Sequence, residues 1–209
     1  MKTGKYVVIE GHDGTGKSTQ VSLIRQRLLQ HDVESIEFHE PAGSPIADAI
    51  RNVIKDGNLE RDATTNLFLF SAARHEIWKT QALPALELGK WVIASRNYYS
   101  SLAYQGYGEG LGLDIIENVT YQATDERYMN PDIAIILDLD NESERVKRIN
   151  IRGELKNPDT FESKDDIFQV RVKEAYLDIA KKREKPIVSA SQTIEKMTDE
   201  IWEYILPHM

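Results

Sequence analysis

A glycine-rich stretch near the start of the chain has the residue types and spacing that hold a nucleoside triphosphate. Residues 11–19 read G-H-D-G-T-G-K-S-T and fit the pattern G-x-x-x-x-G-K-[ST] at every position. The glycines allow a tight turn in which consecutive backbone N–H groups face one anion. The pattern therefore predicts a phosphate-binding loop formed by Gly11, His12, Asp13, Gly14, Thr15, Gly16, Lys17, Ser18 and Thr19.

Two side chains of this loop predict further chemistry. Lys17 can reach the β- and γ-phosphates, and the Ser18 hydroxyl can bind Mg²⁺. The helix predicted to begin near Lys17 adds the positive end of its dipole. A glycine-rich turn without a ligand is the alternative, but the full pattern between a predicted strand and a predicted helix favours a nucleotide. The motif does not identify the group that accepts the phosphoryl.

Other polar and aromatic residues indicate where an acceptor binds. Glu40 opens a loop directly after the second predicted strand, and such loops lie at the ligand-binding edge of a doubly wound sheet. Phe70 and Arg74 are four residues apart and share a helix face, so they can stack on a base and hydrogen-bond its edge. A core role for Phe70 is the alternative. Arg96 ends the third predicted strand and is placed to meet a phosphate.

These residues lie in a chain whose apolar runs alternate with helical patterns. Strands are predicted at residues 6–9, 35–39, 91–94, 133–139 and 186–189. Helices are predicted at residues 18–29, 46–54, 65–88 with an interruption near Pro84, 164–182 and 198–206. The alternation predicts an α/β fold of the P-loop type, with three α/β/α layers around a five-stranded parallel sheet. Residues 106–112 and 153–166 are expected to form mobile loops.

Composition restricts the class of protein. The length of 209 residues suits one domain, which we expect to span residues 1–209. No apolar run approaches the ~18 residues of a membrane span, and the first residues lack the pattern of a signal peptide. Cysteine is absent, which fits a reducing cytoplasm. The net charge of −8 disfavours a nucleic acid polymer as a partner.

Four short motifs carry a family resemblance. They read E-P-x-G at 40–43, F-S-A-x-R at 70–74, S-S-x-A-Y-Q-G at 100–106 and R-G-E-L at 152–155. In this order, and together with the phosphate loop, they resemble the bacterial thymidylate kinases, and the resemblance runs from residue 6 to about residue 205. It implies transfer of the γ-phosphoryl group of ATP to dTMP with Mg²⁺, in the biosynthesis of dTTP, by a homodimer.

The resemblance also implies roles for individual residues on the acceptor side. Phe70 would stack on thymine, while Arg74 and Gln105 would read the edge of the base. Ser101 would line the base pocket, and Tyr104 would pack where a ribose 2′-hydroxyl would sit. The complete predicted dTMP site consists of Asp13, Glu40, Arg51, Phe70, Arg74, Arg96, Ser101, Tyr104 and Gln105.

Further implied roles concern the phosphates. Arg51 and Arg96 would clamp the phosphate of dTMP, and Asp13 would lie near the sugar 3′-hydroxyl and, with Ser18, near the metal. Residues 148–163 would form a lid over ATP, in which Arg148 covers the adenine and Arg152 stabilises the moving phosphoryl group. The predicted catalytic residues are Lys17, Arg96, Arg152 and Asp13.

The chain departs from the family pattern at the third strand. The family has Asp-Arg-Tyr or Asp-Arg-His there, whereas this chain has Ser95-Arg96-Asn97. The missing carboxylate normally supports the metal through water. Two alternatives stay open: a kinase for another acceptor, such as dUMP or a deoxynucleoside, and a regulatory module that binds ATP without transferring phosphate.

Overall fold

A five-stranded sheet forms the centre of the structure. The computed structural model describes residues 3–151, 160–161 and 164–209. In this part of the chain the strands are β1 (Tyr6–Gly11), β2 (Ser35–His39), β3 (Trp91–Ser95), β4 (Ile133–Asp138) and β5 (Ile187–Ser189). They pair in the order β2-β3-β1-β4-β5, and every pairing is parallel. The predicted five-stranded parallel sheet is confirmed.

Helices cover both faces of this sheet. Those of the first half are α1 (Lys17–Gln30), α2 (Pro45–Lys55), α3 (Ala63–Ile77), α4 (Leu83–Glu87) and α5 (Tyr98–Ser101). The later ones are α6 (Leu113–Ala123), α7 (Glu126–Met129), α8 (Glu142–Ile151), α9 (Asp166–Lys182) and α10 (Ile194–Ile205). The described residues include two π-helical stretches, Trp78–Ala82 and Leu102–Gly108, and a 3₁₀ turn that follows α10 at Leu206–His208. Across the described ranges, no helix has both the length and the apolar content to cross a bilayer.

The central strand contributes to two separate cores because successive side chains of a strand point to opposite faces. Tyr6 and Val8 join the larger core, which is shared with residues of α2, α3, α6 and α9. Val7 and Ile9 join the smaller core, formed with α1 and α10. All four side chains are fully buried. Burial on both faces explains why β1 reads as a continuous apolar run rather than an alternating one.

Several predicted boundaries are shifted in the structure. The long helix predicted over residues 65–88 departs from α-helical geometry at Trp78–Ala82, before Pro84, which lies in the first turn of α4. The loop expected at residues 106–112 begins inside a helix, because residues 106–108 belong to the π-helical stretch Leu102–Gly108. A Cβ on Gly106 would lie 2.5 Å from the Leu113 side chain, so this glycine permits close packing.

The strand register brings three loops to one edge. Ser95 pairs with Ile9 of β1 and with His39 of β2, so these three strands end at nearly the same level. The residues that follow them therefore emerge together at the carboxyl edge of the sheet, where open parallel sheets bind ligands.

Candidate active site

The phosphate loop has the backbone geometry that its glycines allow. Gly11 has a φ of 139°, and a Cβ at this position would lie 2.3 Å from the carbonyl oxygen of Leu137 on β4. Gly16 has a φ of 92° directly before α1. Within the described chain no side chain caps α1, so its first N–H groups remain available to an anion. The loop is therefore built as a phosphate cradle at a helix N-terminus.

Lys17 is buried in this loop. Its Nζ donates to the carbonyl oxygens of Gly11 and His12 at 2.9 Å each, and it lies 3.9 Å from the Asp13 carboxylate. Ser18 follows it and is exposed. The charge of the lysine and the hydroxyl of the serine thus lie side by side at the helix start.

His12 points away from the phosphate loop toward α9. Its Nε2 lies 2.9 Å from Gln169 Oε1, an acceptor, so Nε2 carries the ring proton. Nδ1 is buried and has no hydrogen-bond partner in the described residues. Burial lowers the pKa of His12 to about 4; Asp13 and the hydrogen bond to Gln169 oppose the shift, and Arg145 and Lys17 add to it. The ring is therefore neutral at pH 7.

Asp13 and Arg96 form an ion pair at the centre of the site. Tyr104 OH donates to the same carboxylate at 2.7 Å, and the Arg96 guanidinium lies 5.6 Å from the centre of the Tyr104 ring. Burial opposes ionisation of Asp13, but Arg96 and Lys17 outweigh it and hold the pKa of Asp13 well below its ordinary value. Arg96 has a φ of 77°, unusual for a residue with a side chain and typical of functional sites.

One cavity of about 240 Å³ collects most of the predicted acceptor and catalytic residues. Its phosphate side is lined by Asp13, Lys17, Ser18, Arg51 and Arg96. The other predicted residues that line it are Glu40, Phe70, Arg74, Ser101, Tyr104 and Gln105. Ser95, the residue that departs from the family pattern, also faces this cavity. The cavity therefore joins a cationic region to an aromatic and amide-bearing region.

A buried ion pair supports the second region. Arg74 Nε donates to Glu40 at 2.9 Å, and its Nη2 donates to Ser101 Oγ at 3.1 Å. Tyr128 OH donates to the other oxygen of Glu40. Burial raises the pKa of Glu40 above its ordinary value, although Arg74 and Tyr128 oppose the shift. Arg74 Nη1 is buried and has no partner in the described residues, and Arg74 is among the residues that line the cavity.

Phe161 also lines the aromatic region of the cavity. The sequence did not single out this residue. Its ring centre lies 5.8 Å from that of Phe70 and 5.7 Å from that of Tyr104. Its carbonyl oxygen accepts from Gln169 Nε2 at 2.8 Å. Phe161 lies in the segment predicted as a lid, and nothing local distinguished it from its neighbours. Gln105, which faces the same cavity, lies 3.4 Å from Glu109.

A second cavity of about 290 Å³ lies on the other side of the phosphate loop. Gly14, Gly16, Thr19 and Arg148 line it, together with residues of α10. Arg148 Nη1 donates to the Ala190 carbonyl at 3.1 Å, and its Nε donates to Glu144 at 3.1 Å. This places the predicted adenine-covering arginine beside the phosphate loop.

Three residues of the phosphate loop are not among those that line the two cavities. Gly11, His12 and Thr15 are buried within the loop, where Thr15 Oγ1 donates to the His12 carbonyl at 2.9 Å. Arg152 lies outside the described residues, as do residues 153–155 of the fourth motif. Its predicted catalytic role therefore stays a prediction.

The phosphate loop between β1 and α1, with cavities on both sides at the carboxyl edge of a parallel sheet, defines a P-loop nucleotide-binding protein. Comparison with known proteins is more specific. The profile of the family described as thymidylate kinase matches residues 9–201. The chain belongs to the thymidylate kinase family, and the resemblance seen in its motifs is confirmed.

Individual relatives cover nearly the whole chain. The thymidylate kinase of Colwellia psychrerythraea is 34% identical over 212 aligned residues, which cover 99% of this chain and 96% of the relative. That of Prochlorococcus marinus is 36% identical over 210, covering 97% of each. That of Clostridium novyi is 36% identical over 206, covering 96% of this chain and 98% of the relative.

Proposed function

We propose that this chain is a dTMP kinase, which transfers the γ-phosphoryl group of ATP to dTMP and releases dTDP and ADP. One observation carries the proposal: a single cavity is lined by Lys17 and Arg96 of the phosphate-binding side and by Phe70 and Arg74 of the base-binding side. Membership in the thymidylate kinase family supports the same substrates.

The proposed chemistry relies on charge and position. The attacking oxygen belongs to a phosphate that is already anionic, so it needs no general base. Lys17 would hold the donor phosphates, while Arg51 and Arg96 would hold the acceptor phosphate near them. Fixed cations lower the barrier because they neutralise charge without having to reorganise during the reaction. We place Arg152 in the same role at the transferred phosphoryl group.

Recognition of thymine would use the other region of the cavity. Phe70 supplies a ring on which a base can stack. Arg74 and the side-chain amide of Gln105, which line this region, would supply hydrogen-bonding groups for the base edge. Ser101 Oγ accepts a hydrogen bond from Arg74 Nη2 and so helps to fix the guanidinium. Tyr104, whose hydroxyl donates to Asp13, would lie against the sugar.

The donor set also fits Mg²⁺. Ser18 and Asp13 present a hydroxyl and a carboxylate to the same cavity, and Mg²⁺ prefers oxygen ligands. When bound, the ion would neutralise charge on the phosphates of ATP. Ser95 stands where the family has an aspartate, so Asp13 would provide the carboxylate on this side of the ion.

We also propose that two copies of the chain pair through α3 and α6. These helices pack together and expose four large apolar side chains: Phe68 is 57% exposed, Leu113 36%, Ile115 45% and Tyr121 51%. We propose that these side chains lie at the interface, since apolar patches exposed at a surface mark interaction sites. We further propose one domain over residues 1–209 with a lid at about 148–163. Both nucleotides are metabolites of the cytoplasm, where we place the enzyme.

A coupled assay for ADP tests the function. The purified protein is given Mg²⁺ and ATP with dTMP, dUMP, dCMP, dGMP or thymidine as the acceptor. We expect dTMP to give the highest kcat/KM. A higher value for dUMP or thymidine would assign a different acceptor, and ADP formation that does not depend on any acceptor would contradict a kinase.

A further inference from the structure

A buried carboxylate beneath the phosphate loop has no role in the site as described so far. Glu10, in β1, is fully buried. It accepts hydrogen bonds from the N–H groups of Gly11, Asn97 and Ser100 at 3.2, 2.7 and 3.1 Å. Ser100 Oγ lies 2.9 Å from both carboxylate oxygens, and Tyr176 OH lies 3.1 Å from Oε2. These donors offset the cost of burying the carboxylate and fix its orientation.

The same two hydroxyl groups contact Arg96. Its Nη1 donates to Ser100 Oγ at 2.9 Å and to Tyr176 OH at 3.2 Å, and the two hydroxyl oxygens are 3.0 Å apart. Nη1 carries two hydrogens, so each hydroxyl oxygen can accept one while its own proton points to Glu10. Burial, with the nearby charge of Glu10, raises the pKa of Tyr176 well above its ordinary value. The phenol therefore keeps the proton that it donates.

We propose that Tyr176, with Ser100 and Glu10 behind it, is a positioning residue that aims the Nη2 edge of Arg96 at the acceptor phosphate. This inference rests on the proposed function, in which Arg96 binds that phosphate. Tyr176 lies on α9, so it couples this helix to the end of β3. It need not touch either nucleotide to affect the reaction.

Contact through hydroxyl groups has a physical advantage over a direct ion pair between Glu10 and Arg96. Among the described residues, Asp13 is the carboxylate that pairs directly with Arg96, and it does so at Nη2. Glu10 acts through neutral hydroxyl groups at Nη1, so it orients the guanidinium without forming a second charge pair that would compete with phosphate. The hydroxyl groups also hold the side chain of a residue whose φ of 77° is unfavourable and needs support from its surroundings.

Tyr176→Phe tests the inference because it removes one oxygen and keeps the ring. Loss of a hydrogen bond to a charged group typically changes an equilibrium by about 10-fold or more, and Ser100 still holds Nη1. We therefore expect kcat/KM for dTMP to fall about 10-fold, with the KM for ATP unchanged. In an Arg96→Ala background the same substitution should change kcat/KM less than about 2-fold, because the hydroxyl acts through Arg96.

Tyr6→Phe is the matched control. Tyr6 is also fully buried, but its hydroxyl has no hydrogen-bond partner in the part of the chain that the structure describes. We expect this variant to keep wild-type kcat/KM. If Tyr176→Phe melts far below the wild type, Ser100→Ala takes its place in the same double-mutant cycle, since it removes the other hydroxyl on Nη1.

The outcomes separate the two proposals. An equal loss from Tyr176→Phe with and without Arg96 would show a structural role and overturn the positioning role. A wild-type rate in the Tyr176→Phe single variant would also overturn the positioning role, provided that the wild type turns over dTMP. A wild-type protein that forms no ADP with dTMP would instead overturn the proposed function, and the positioning role with it.

Discussion

Protonation of His12 is expected to destabilise the folded protein in mild acid. The ring is 5% exposed, its Nε2 is bonded to Gln169, and burial lowers its pKa from 6.5 to about 4. In the unfolded chain the ring titrates near its ordinary value. Between pH 6.5 and pH 4 the unfolded chain therefore binds more protons than the folded one, so stability rises with pH in this window and is lost as the pH falls through it.

The size of the effect follows from the two pKa values. A change of one pH unit is worth 1.36 kcal/mol per proton, so the full window corresponds to about 3 kcal/mol. For a urea m-value of about 2–3 kcal/mol/M, the unfolding midpoint should move by roughly 1 M. The charge is costly chiefly because the ring is buried, and Nδ1 has no acceptor in the described residues; Asp13 favours the protonated ring, while Arg145 and Lys17 disfavour it.

His12→Gln provides the comparison, because its amide can still donate to Gln169 but cannot take up a proton. Urea midpoints of both proteins are measured from pH 7.5 to pH 4.5. The other four histidines and all carboxylates are common to both proteins, so the difference between the curves isolates His12. The wild type should lose about 2–3 kcal/mol more than the variant by pH 4.5. Parallel curves would refute the reasoning.

Four further predictions concern activity and assembly. Phe70→Ala and Phe70→Leu should both raise the KM for dTMP about 5- to 150-fold, since stacking contributes about 1–3 kcal/mol; a wild-type KM for the leucine variant would show that only packing matters. Arg152→Ala should lower kcat about 10³-fold with little change in the Kd for dTMP measured by calorimetry, and an unchanged kcat would contradict its role. Ser95→Asp should lower the Mg²⁺ concentration that gives half-maximal rate; the same Mg²⁺ dependence as wild type would remove the idea. Phe68→Glu should shift sedimentation from dimer to monomer, and a persistent dimer would place the interface elsewhere.

Regular elements with strong local patterns were predictable. The second strand was expected at residues 35–39 and lies at Ser35–His39. The last helix was expected to start at residue 198, but α10 starts at Ile194 because the Thr193 side chain caps it by accepting from the N–H of Lys196. A threonine at this position is a local start signal for a helix. Helices α5, α6 and α7 were not predicted.

The phosphate loop could be predicted because its chemistry resides in nine consecutive residues. Glycine conformation, helix start and lysine are all local properties, so the linear pattern specifies them. The pairing of Phe70 with Arg74 on one helix face is local for the same reason. The acceptor and its implied contacts came from family resemblance, since no local pattern identifies thymine.

The environment of these residues is a product of packing. Arg96 contacts Asp13 across 83 positions and Tyr176 across 80, and neither partner is indicated by spacing along the chain. The orientation of His12 toward Gln169, and with it the lowered pKa of the ring, likewise depends on where α9 lies. Burial and long-range hydrogen bonds arise only when distant segments share one interior, so the charge state and aim of these side chains had to be observed in three dimensions.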